Sequence, residues 1–342
     1  MTAKRQIELR VRLIDVARSA GVSTMTASRV LRGEQTVATA SRDAVHAAAA
    51  RLGYVPNQVA GSLRSQRSGI IAVIVPTLTG SVFAETIRGI SDTFEVHDYQ
   101  LMIGESSYDI EREEKVISAL VQRRPDAIIV VGVKHTPLAQ TLLRSVGVPI
   151  VEIWDETTHP IDSVVGFSNF RAAYEMTEGL LRKGYKNLGL ATGPVIPGNR
   201  AGERTEGYLA ALKDAGMAPG PSIVVPYYHF LDSSLKGGAV VADFLTQEVT
   251  LDCLFCTNEL IAIGAVVACT RRGVQVPSDV AIAGFGDVEA ASIITPDLTT
   301  VRIRGFEMGR RAAEILISRL LGETSEPKME DVGYEIVWRR SA

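Results

Sequence analysis

The sequence predicts a protein of two parts: a small all-α domain at the amino end and a larger α/β domain built on parallel sheets. Residues 1–68 carry eleven lysines and arginines against four acids, whereas the remainder carries 25 against 35. Hydrophobic residues follow a helical spacing up to about residue 52, and short apolar runs alternate with amphipathic segments from Gly69 onward. At 342 residues the chain is also long enough for two or three domains.

The segment Leu13–Arg32 predicts a helix, a tight turn and a second helix. Apolar residues recur at helical spacing on both sides of Gly21, which tolerates the positive φ that a tight turn needs. Ser23 is the expected N-cap of the second helix. Small polar groups and guanidinium groups on one helix face are suited to reading base edges in the major groove of DNA. On the second helix this face carries Thr24, Met25, Ser28, Arg29 and Arg32.

A third helix and a polar linker complete the amino-terminal part. Ser41–Leu52 is rich in alanine, begins with a capping residue and ends at Gly53, so we expect a three-helix head over residues 1–56. Residues 57–68 are small, polar and basic and include Gly61. An isolated helix of that length is marginal in water. We therefore expect this linker to become ordered only when a partner binds it.

Residues 69–342 predict parallel sheets covered by helices on both faces. Buried strands are expected at Ile70–Val75, Gln100–Gly104, Ala127–Val131, Ile150–Ile153, Ser163–Gly166, Asn187–Ala191, Leu251–Cys256 and Val280–Ala283. Amphipathic helices are expected at Phe83–Val96, Ile110–Arg123, Asn169–Lys183, Glu203–Ala215 and Asn258–Arg272. Alternating strands and helices form doubly wound sheets. Eight strands indicate two such sheets, with small ligands binding at the carboxyl ends of the strands, in the cleft between the sheets.

Composition and motifs argue against several other classes of protein. The amino end has no signal-peptide pattern and no segment reaches the roughly 20 apolar residues of a membrane helix, so we expect a cytoplasmic protein. Cys253 and Cys256 form a CxxC, but in a buried strand these two side chains point to opposite faces, which favours core packing over a redox or metal site. No second cysteine or histidine pair completes a metal site. We expect neither a metal nor a cofactor.

Enzyme motifs are also missing from the sequence. There is no GxSxG, no GxxxxGK followed by Ser or Thr, and no HExxH. The five histidines, His46, His97, His135, His159 and His229, are scattered along the chain. We therefore expect a protein that is not an enzyme.

Six segments, in one order, resemble the lactose-repressor (LacI) family of bacterial transcription regulators. They are IDVARSAGVSTMTASRVLRG, LGYVPNQVAGSLRSQRSGIIAVIVP, ERTEGYLAAL, LFCTNELIAIGA, VPSDVAIAGFGD and PDLTTVR. Five shorter segments further resemble the gluconate-operon repressors of that family: TMTASRVLRG, FAETIRGI, KHTP, VVGFSNFRAA and FCTNE. The resemblance covers essentially the whole chain.

For the head and linker, the resemblance implies a helix-turn-helix that binds double-stranded operator DNA. Its second helix would contact bases through Thr24, Met25 and Arg29 and phosphates through Ser23, Thr26 and Ser28. Arginine suits the O6 and N7 atoms of guanine, whereas the alternative role of Met25 is packing between helices. The linker resembles the family's hinge helix, which folds on the operator and inserts Leu63 into the minor groove. Asn57 and Ala60 match the hinge pattern as well.

For residues 69–342, the resemblance implies the two-lobed fold of periplasmic sugar-binding proteins. Three chain crossings would assign about 69–167 plus 298–322 to one lobe and about 168–297 plus 323–342 to the other. A sugar acid needs a cation for its carboxylate and acceptors for its hydroxyls. Arg204 would serve the carboxylate, and Asp155, Asn258 and Asp287 the hydroxyls. The effector residues that the resemblance implies are Ser81, Phe83, Arg204, Asn258 and Asp287, and Asp155 and His135 are further candidates because each follows the end of a strand. Lys134 is a further cation near the anion, and for Lys134 and His135 a solvated surface position is the alternative.

The expected function is repression by a homodimer whose two heads read the half-sites of a pseudo-palindromic operator. A gluconate-like sugar acid in the cleft would move the lobes and release the operator, although the residues alone leave the direction of the response open. The alternatives are a family member that responds to a neutral sugar or another small metabolite, and a solute-binding protein. The second alternative would lack the basic head.

Overall fold

The computed structural model describes residues 11–31, 33–34, 36–55, 67–78, 82–194, 199–226, 234–246, 251–324 and 326–342. Contacts divide the chain into two compact units, Met1–Ser68 and Gly69–Ala342. Within the described ranges, no helix has both the length and the apolar character needed to cross a membrane.

The first unit contains three helices, α1 (Leu13–Ala20), α2 (Thr24–Leu31) and α3 (Thr39–Leu52). Gly21 ends α1 with a φ of 67°, and Gly53 ends α3 with a φ of 62°. In both caps the glycine N–H donates to carbonyl groups of the last helical turn, and this left-handed conformation is strained for residues with a side chain. The small core of this unit consists of Val16, Ala17, Ala27, Val30, Val45, Ala48 and Ala49.

The first lobe of the second unit is a six-stranded sheet in the order β11-β5-β4-β3-β1-β2. All of its pairings are parallel, and its central strands are buried on both faces. The strands are β1 (Ile70–Val75), β2 (Gln100–Glu105), β3 (Ala127–Val131), β4 (Ile150–Ile153), β5 (Ser163–Gly166) and β11 (Met329–Asp331). The helices of this lobe are α4 (Ala84–Glu95), α5 (Ile110–Val121), α6 (Pro137–Ser145) and α12 (Gly305–Leu320).

The second lobe is a six-stranded sheet in the order β12-β10-β9-β8-β6-β7, in which only the pairing of β10 with β12 is antiparallel. The strands are β6 (Leu188–Thr192), β7 (Ser222–Val224), β8 (Cys253–Cys256), β9 (Ala281–Gly286), β10 (Thr299–Ile303) and β12 (Tyr334–Val337). The helices are α7 (Asn169–Arg182), α8 (Arg200–Asp214), α9 (Ser234–Leu245), α10 (Glu259–Arg271) and α11 (Ala290–Ile293). Cys253 and Cys256 lie in different core clusters, on opposite faces of β8.

The expected fold class is confirmed, but the lobe boundaries differ from the expected ones in two places. The strand Thr299–Ile303 was expected in the first lobe, yet it pairs with β9 of the second, Val301 lying beside Phe285. The strand Met329–Asp331 was expected in the second lobe, yet it pairs with β5 of the first. Strand pairing through backbone hydrogen bonds decides membership of a sheet, and hydrophobic pattern alone does not reveal it. The crossings therefore follow β5, β10 and β11.

Two helices of the first lobe, α4 and α12, approach each other through glycines. A Cβ atom placed on Gly309 would lie 2.1 Å from the carbonyl oxygen of Thr86, and one on Gly89 would lie 2.2 Å from that of Phe306. Neither gap admits a methyl group, because the opposing atoms belong to backbone. The close approach places Thr86 and Met308 against the same residue, Trp154, whose indole N–H donates to Thr86 and whose backbone N–H donates to the sulfur of Met308.

We predict that Gly309→Ala lowers the free energy of unfolding by about 1–3 kcal/mol, because the added methyl group must push α12 away from α4. Ser91→Ala, at an exposed position of α4, is the matched control and should change stability by less than about 0.5 kcal/mol. Urea unfolding followed by circular dichroism measures both. Equal stability of Gly309→Ala and Ser91→Ala would contradict the close contact.

Candidate functional site

A cavity of about 260 Å³ lies between the lobes of the second unit. Its walls come from the ends of parallel strands and from the first turns of the helices that follow them, the position where doubly wound sheets bind ligands. Phe83, Trp154 and Asp155 contribute from the first lobe, and Arg204 and Asn258 from the second. Four of the predicted effector residues, Phe83, Asp155, Arg204 and Asn258, therefore line one cavity. Ser81 lies outside the described residues.

Trp154 forms an aromatic wall of the cavity directly after β4. Its backbone has a φ of 72°, a left-handed conformation that non-glycine residues rarely adopt. The indole Nε1 donates a hydrogen bond to Oγ1 of Thr86 at 3.0 Å, and the ring packs edge-on against Phe83 with 4.7 Å between centroids. These contacts fix the ring, so the cavity offers an apolar surface of set orientation.

Arg204 is the buried cation of the site. Its Nε donates to Oδ1 of Asn169 at 2.8 Å, and its Nη1 donates to the carbonyl oxygen of Thr257 at 2.8 Å. The guanidinium carbon stands 3.8 Å from the ring centroid of Phe285, a cation–π contact. Burial, followed by the neighbouring charge of Arg200, lowers the pKa of Arg204 to about 9. The side chain is thus positively charged at neutral pH and held from three sides.

Asp155 supplies a buried carboxylate opposite the arginines. Only 2% of the residue is exposed, and Oδ1 accepts the backbone N–H of Glu156 at 3.0 Å. Burial raises the pKa of Asp155, while the charges of Arg200 and Arg204 oppose that rise. A carboxylate set among cations can accept hydrogen bonds from hydroxyl groups of a ligand.

The sequence prediction missed Arg200, which also lines the cavity. Arg200 opens α8 directly after the N-cap Asn199, whose Oδ1 accepts the N–H of Gly202 at 2.7 Å. Arg200 and Arg204 are four residues apart and therefore share a helix face, so their spacing was the signal that could have found it. Lys134 lines the same cavity. Of the two positions expected for this residue, it therefore has the one that faces the ligand.

Asn258 caps α10, as its oxygen Oδ1 accepts the backbone N–H of Leu260 at 2.9 Å. With its oxygen directed at the helix, its amide nitrogen is the group that can donate to a ligand in the cavity. Asn258 can therefore contact a hydroxyl oxygen as a donor, whereas Asp155 can contact a hydroxyl as an acceptor.

His135 occupies neither of the two expected positions, because it is buried and does not line the cavity. Its Nδ1 lies 2.6 Å from Oε1 of Glu113 and its Nε2 lies 3.4 Å from Oε1 of Glu152. Burial lowers the pKa of His135, but the two glutamates outweigh burial and raise it to about 9. Glu113 itself lines the cavity. His135 is thus a buried cation outside the cavity lining, and it pairs with Glu113, which belongs to that lining.

Asp287 is likewise absent from the described residues that line the cavity. Its Oδ2 accepts from Nε of Arg302 at 2.6 Å and its Oδ1 accepts from Nη1 of Arg339 at 2.6 Å. These two ion pairs tie β9 to β10 and to the segment after β12. Both carboxylate oxygens are already engaged, so the geometry gives Asp287 a structural position in place of the expected hydroxyl contact.

The face of α2 that was expected to read DNA is exposed in the first unit. Thr24, Met25 and Arg29 are exposed, whereas Ala27 and Val30 on the opposite side are buried. Met25 is 65% exposed, which argues against its alternative role in helix packing. Nε of Arg29 lies 3.8 Å from Oε2 of Glu34, a loose surface ion pair that DNA can replace.

The predicted phosphate-contacting residues lie at the start of α2 or along it. Oγ of Ser23 accepts the backbone N–H of Thr26 at 3.1 Å, and the two hydroxyl oxygens are 2.8 Å apart. Ser28 is half-buried. Arg32 and the predicted hinge residues Asn57, Ala60 and Leu63 lie outside the described residues.

Each of the two parts of the chain matches the model of a known protein family. Residues 12–57 match the model of bacterial regulatory proteins of the lacI family, and residues 68–335 match that of periplasmic binding proteins and the sugar binding domain of the LacI family. The chain belongs to the LacI family. This LacI-family member is a DNA-binding transcriptional regulator and not an enzyme.

Individual relatives agree with this family. The transcriptional regulator GntR of Escherichia coli is 35% identical over 328 residues, covering 95% of this chain and 96% of the relative. GntR of Pseudomonas aeruginosa is 34% identical over 330 residues, covering 96% and 95%. A LacI-family regulator from Silicibacter pomeroyi has a solved structure with a TM-score of 0.87, 34% identity and coverage of 97% of this chain and 99% of that chain.

We predict that His135 makes the stability of the LacI-family regulator depend on pH. A histidine whose pKa is raised from 6.5 to about 9 stabilises the fold fully below pH 6.5, and this contribution is lost as pH rises toward 9. The contribution is on the order of 3 kcal/mol. His135→Gln should therefore lower the melting temperature strongly at pH 6 and little at pH 9.

The control for this prediction is His159→Gln, which changes an exposed histidine. It should follow the wild-type melting temperature at every pH. A loss in His135→Gln that is equally large at pH 6 and pH 9 would mean that the ring acts through packing and not through its charge.

Proposed function

We propose that this LacI-family regulator represses genes for sugar-acid use and leaves its operator when a gluconate-like acid binds in the cleft. The cleft itself is the observation that carries the proposal: Arg204, Arg200 and Lys134 line it together with Asp155 and an aromatic wall. The resemblance of several segments to gluconate-operon repressors points to the same ligand. A neutral sugar would leave these cations without a partner in the ligand.

The proposed ligand pose follows from hydrogen-bonding capacity. Arg204 has two nitrogens engaged with Asn169 and Thr257, which leaves Nη2 for the ligand's carboxylate. The polyol chain then passes Trp154 and Phe83, whose rings pack against its C–H groups. Asp155 accepts from hydroxyl groups and Asn258 donates to one. A cavity of about 260 Å³ suits one small acid of this kind.

The proposed output is the exposed face of α2. Thr24, Met25 and Arg29 read base edges, while Ser23, Thr26 and Ser28 contact phosphates. Two copies of the chain form a homodimer that binds two half-sites of a pseudo-palindrome, with Asn57, Ala60 and Leu63 in a hinge at its centre. The ligand shifts the balance between two arrangements of the lobes, and the operator prefers one of them.

We predict that Arg204→Lys weakens gluconate binding by at least about tenfold, because a lysine cannot reproduce the planar donor arrangement that holds Asn169, Thr257 and a carboxylate together. Isothermal titration calorimetry of the full chain with gluconate and with glucose measures the effect. Arg144→Lys, at an exposed position of α6, is the control and should bind like wild type. Tighter binding of glucose than of gluconate to the wild type would overturn the sugar-acid assignment.

We predict that Arg29→Ala relaxes selectivity at one guanine in each half-site, at a cost of about 1–3 kcal/mol, and leaves gluconate binding unchanged. Gel shifts of wild type and variant on operators with single base changes measure this effect. Arg144→Ala removes a positive charge from the second unit and should keep full selectivity. If Arg29→Ala discriminates operators as wild type does, Arg29 does not read a base.

A further inference from the structure

The first lobe contributes a buried acid to the cleft from α5, the side chain of Glu113. This residue lines the cavity, and 10% of its side chain is exposed. The helix begins after the N-cap Asp109, whose Oδ1 accepts the backbone N–H groups of Glu111 and Arg112 at 2.9 Å. Glu113 therefore lies in the first turn of a capped helix, where a negative charge is favourable.

The side chain of Glu113 is held in place by His135. Oε1 of Glu113 accepts from Nδ1 of His135 at 2.6 Å. Nε2 of the same ring lies 3.4 Å from Oε1 of Glu152, an ion-pair distance without an aligned hydrogen bond. The other oxygen of Glu152, Oε2, accepts the backbone N–H of Ile161 at 2.6 Å. A chain of contacts thus runs from the segment after β4, through the imidazole ring, to the wall of the cavity.

These contacts leave one oxygen of Glu113 for a ligand. Within the described ranges, the hydrogen bonds of this carboxylate involve Oε1 only. An ionised carboxylate accepts hydrogen bonds and donates none, so Oε2 can bind a hydroxyl group. A second carboxylate at the same place would be repelled, because like charges interact strongly in a cavity of low dielectric constant.

The two walls of the cleft differ in the charges that they present. The second lobe presents Arg204, whose Nη2 remains for a ligand carboxylate. The first lobe presents Asp155, Glu113 and Lys134. The charge of Arg204 acts on Asp155, whereas Glu113 is paired with His135, which lies outside the cavity lining. The part of a ligand that meets Glu113 must therefore offer a hydrogen-bond donor and no negative charge.

We propose that Glu113 is a specificity-determining residue of the cleft, which accepts a hydrogen bond from a ligand hydroxyl group and excludes a second carboxylate. The cleft then selects aldonic acids, which have a carboxylate at one end and a hydroxyl group at the other, over aldaric acids, which have a carboxylate at both ends. The proposal rests on the proposed function for its class of ligand, and it adds which sugar acids fit.

The first test uses the wild-type full chain with two acids that differ at one end only. Gluconate has a hydroxymethyl group there, and glucarate has a carboxylate. Isothermal titration calorimetry at neutral pH should give a Kd at least about tenfold lower for gluconate. Equal or tighter binding of glucarate would overturn the proposal and leave the sugar-acid assignment standing. Binding of neither acid would overturn both.

The second test uses Glu113→Gln, which removes the negative charge and keeps the shape of the side chain. The glutamine oxygen can still accept from Nδ1 of His135, which directs the amide nitrogen to the cavity as a donor. The ratio of the two Kd values should therefore move toward glucarate by at least about tenfold. This ratio isolates the differing end, because both acids share the carboxylate that Arg204 would bind. An unchanged ratio would overturn the proposal.

The matched control is Glu111→Gln, which removes the same charge from an exposed position of α5. It should keep the wild-type ratio of Kd values. A change as large as that of Glu113→Gln would mean that the net charge of the helix, and not a contact of Glu113, selects the ligand, and the proposal would fall.

Glu113→Asp is a second variant in case Glu113→Gln fails to fold, which melting temperatures would show. It keeps the charge but shortens the side chain, so one carboxylate no longer reaches both His135 and a ligand hydroxyl group. Gluconate should bind about fivefold more weakly than to the wild type, while glucarate remains the weaker ligand. Affinity for gluconate equal to that of the wild type would overturn the hydrogen bond that the proposal requires.

Discussion

The buried guanidinium group of Arg204 lies where the two lobes meet, and the arrangement of the cleft depends on how that charge is stabilised. Moving a charge out of water costs several kcal/mol unless hydrogen bonds replace its hydration. Asn169 and the carbonyl group of Thr257 supply those bonds, and Phe285 covers one face of the guanidinium. The geometry of α7, β8 and β9 is thus tied to a single side chain of α8.

The hydrogen bonds of Arg204 continue into the first lobe through Asn169. Nδ2 of Asn169 donates to the carbonyl oxygen of Trp154 at 3.1 Å. Trp154 in turn bonds to Thr86 of α4, and its backbone N–H lies 3.2 Å from the sulfur of Met308 in α12. The left-handed backbone at Trp154 persists because contacts on every side fix it. Any movement of Arg204 must therefore be accommodated by the packing of α4 against α12.

Much of this fold could be predicted from the sequence, since long apolar runs such as Ile70–Val75 have few alternatives to a buried strand. The lobe that holds β10 or β11 could not, because an apolar pattern does not show which strand a segment pairs with: β10 pairs with the strand before it, whereas Met329 of β11 lies beside Val164 of β5. Arg204 was found through resemblance to a family, and Asp155 through its position after the fourth strand. The role of Asn169 as the acceptor for Arg204 was missed because the two residues are 35 positions apart, and no local pattern marks a contact of that kind. The helix-turn-helix was the easiest part to predict, because the residues that define it are close together in the sequence.

The charge of the cleft differs from the charge of the domain that contains it. Residues 69–342 hold 25 basic and 35 acidic side chains. This excess of negative charge repels anions and disfavours non-specific DNA binding by the domain. Inside the cleft the excess of acids disappears, because Lys134, Arg200 and Arg204 balance the lining carboxyl groups of Asp109, Glu113 and Asp155. A field inside a low-dielectric cavity acts more strongly than the same charges on a surface. Whether the cleft can bind an anion therefore depends on where these side chains lie and not on the net charge of the domain, whose excess of acids disfavours DNA binding outside the basic head.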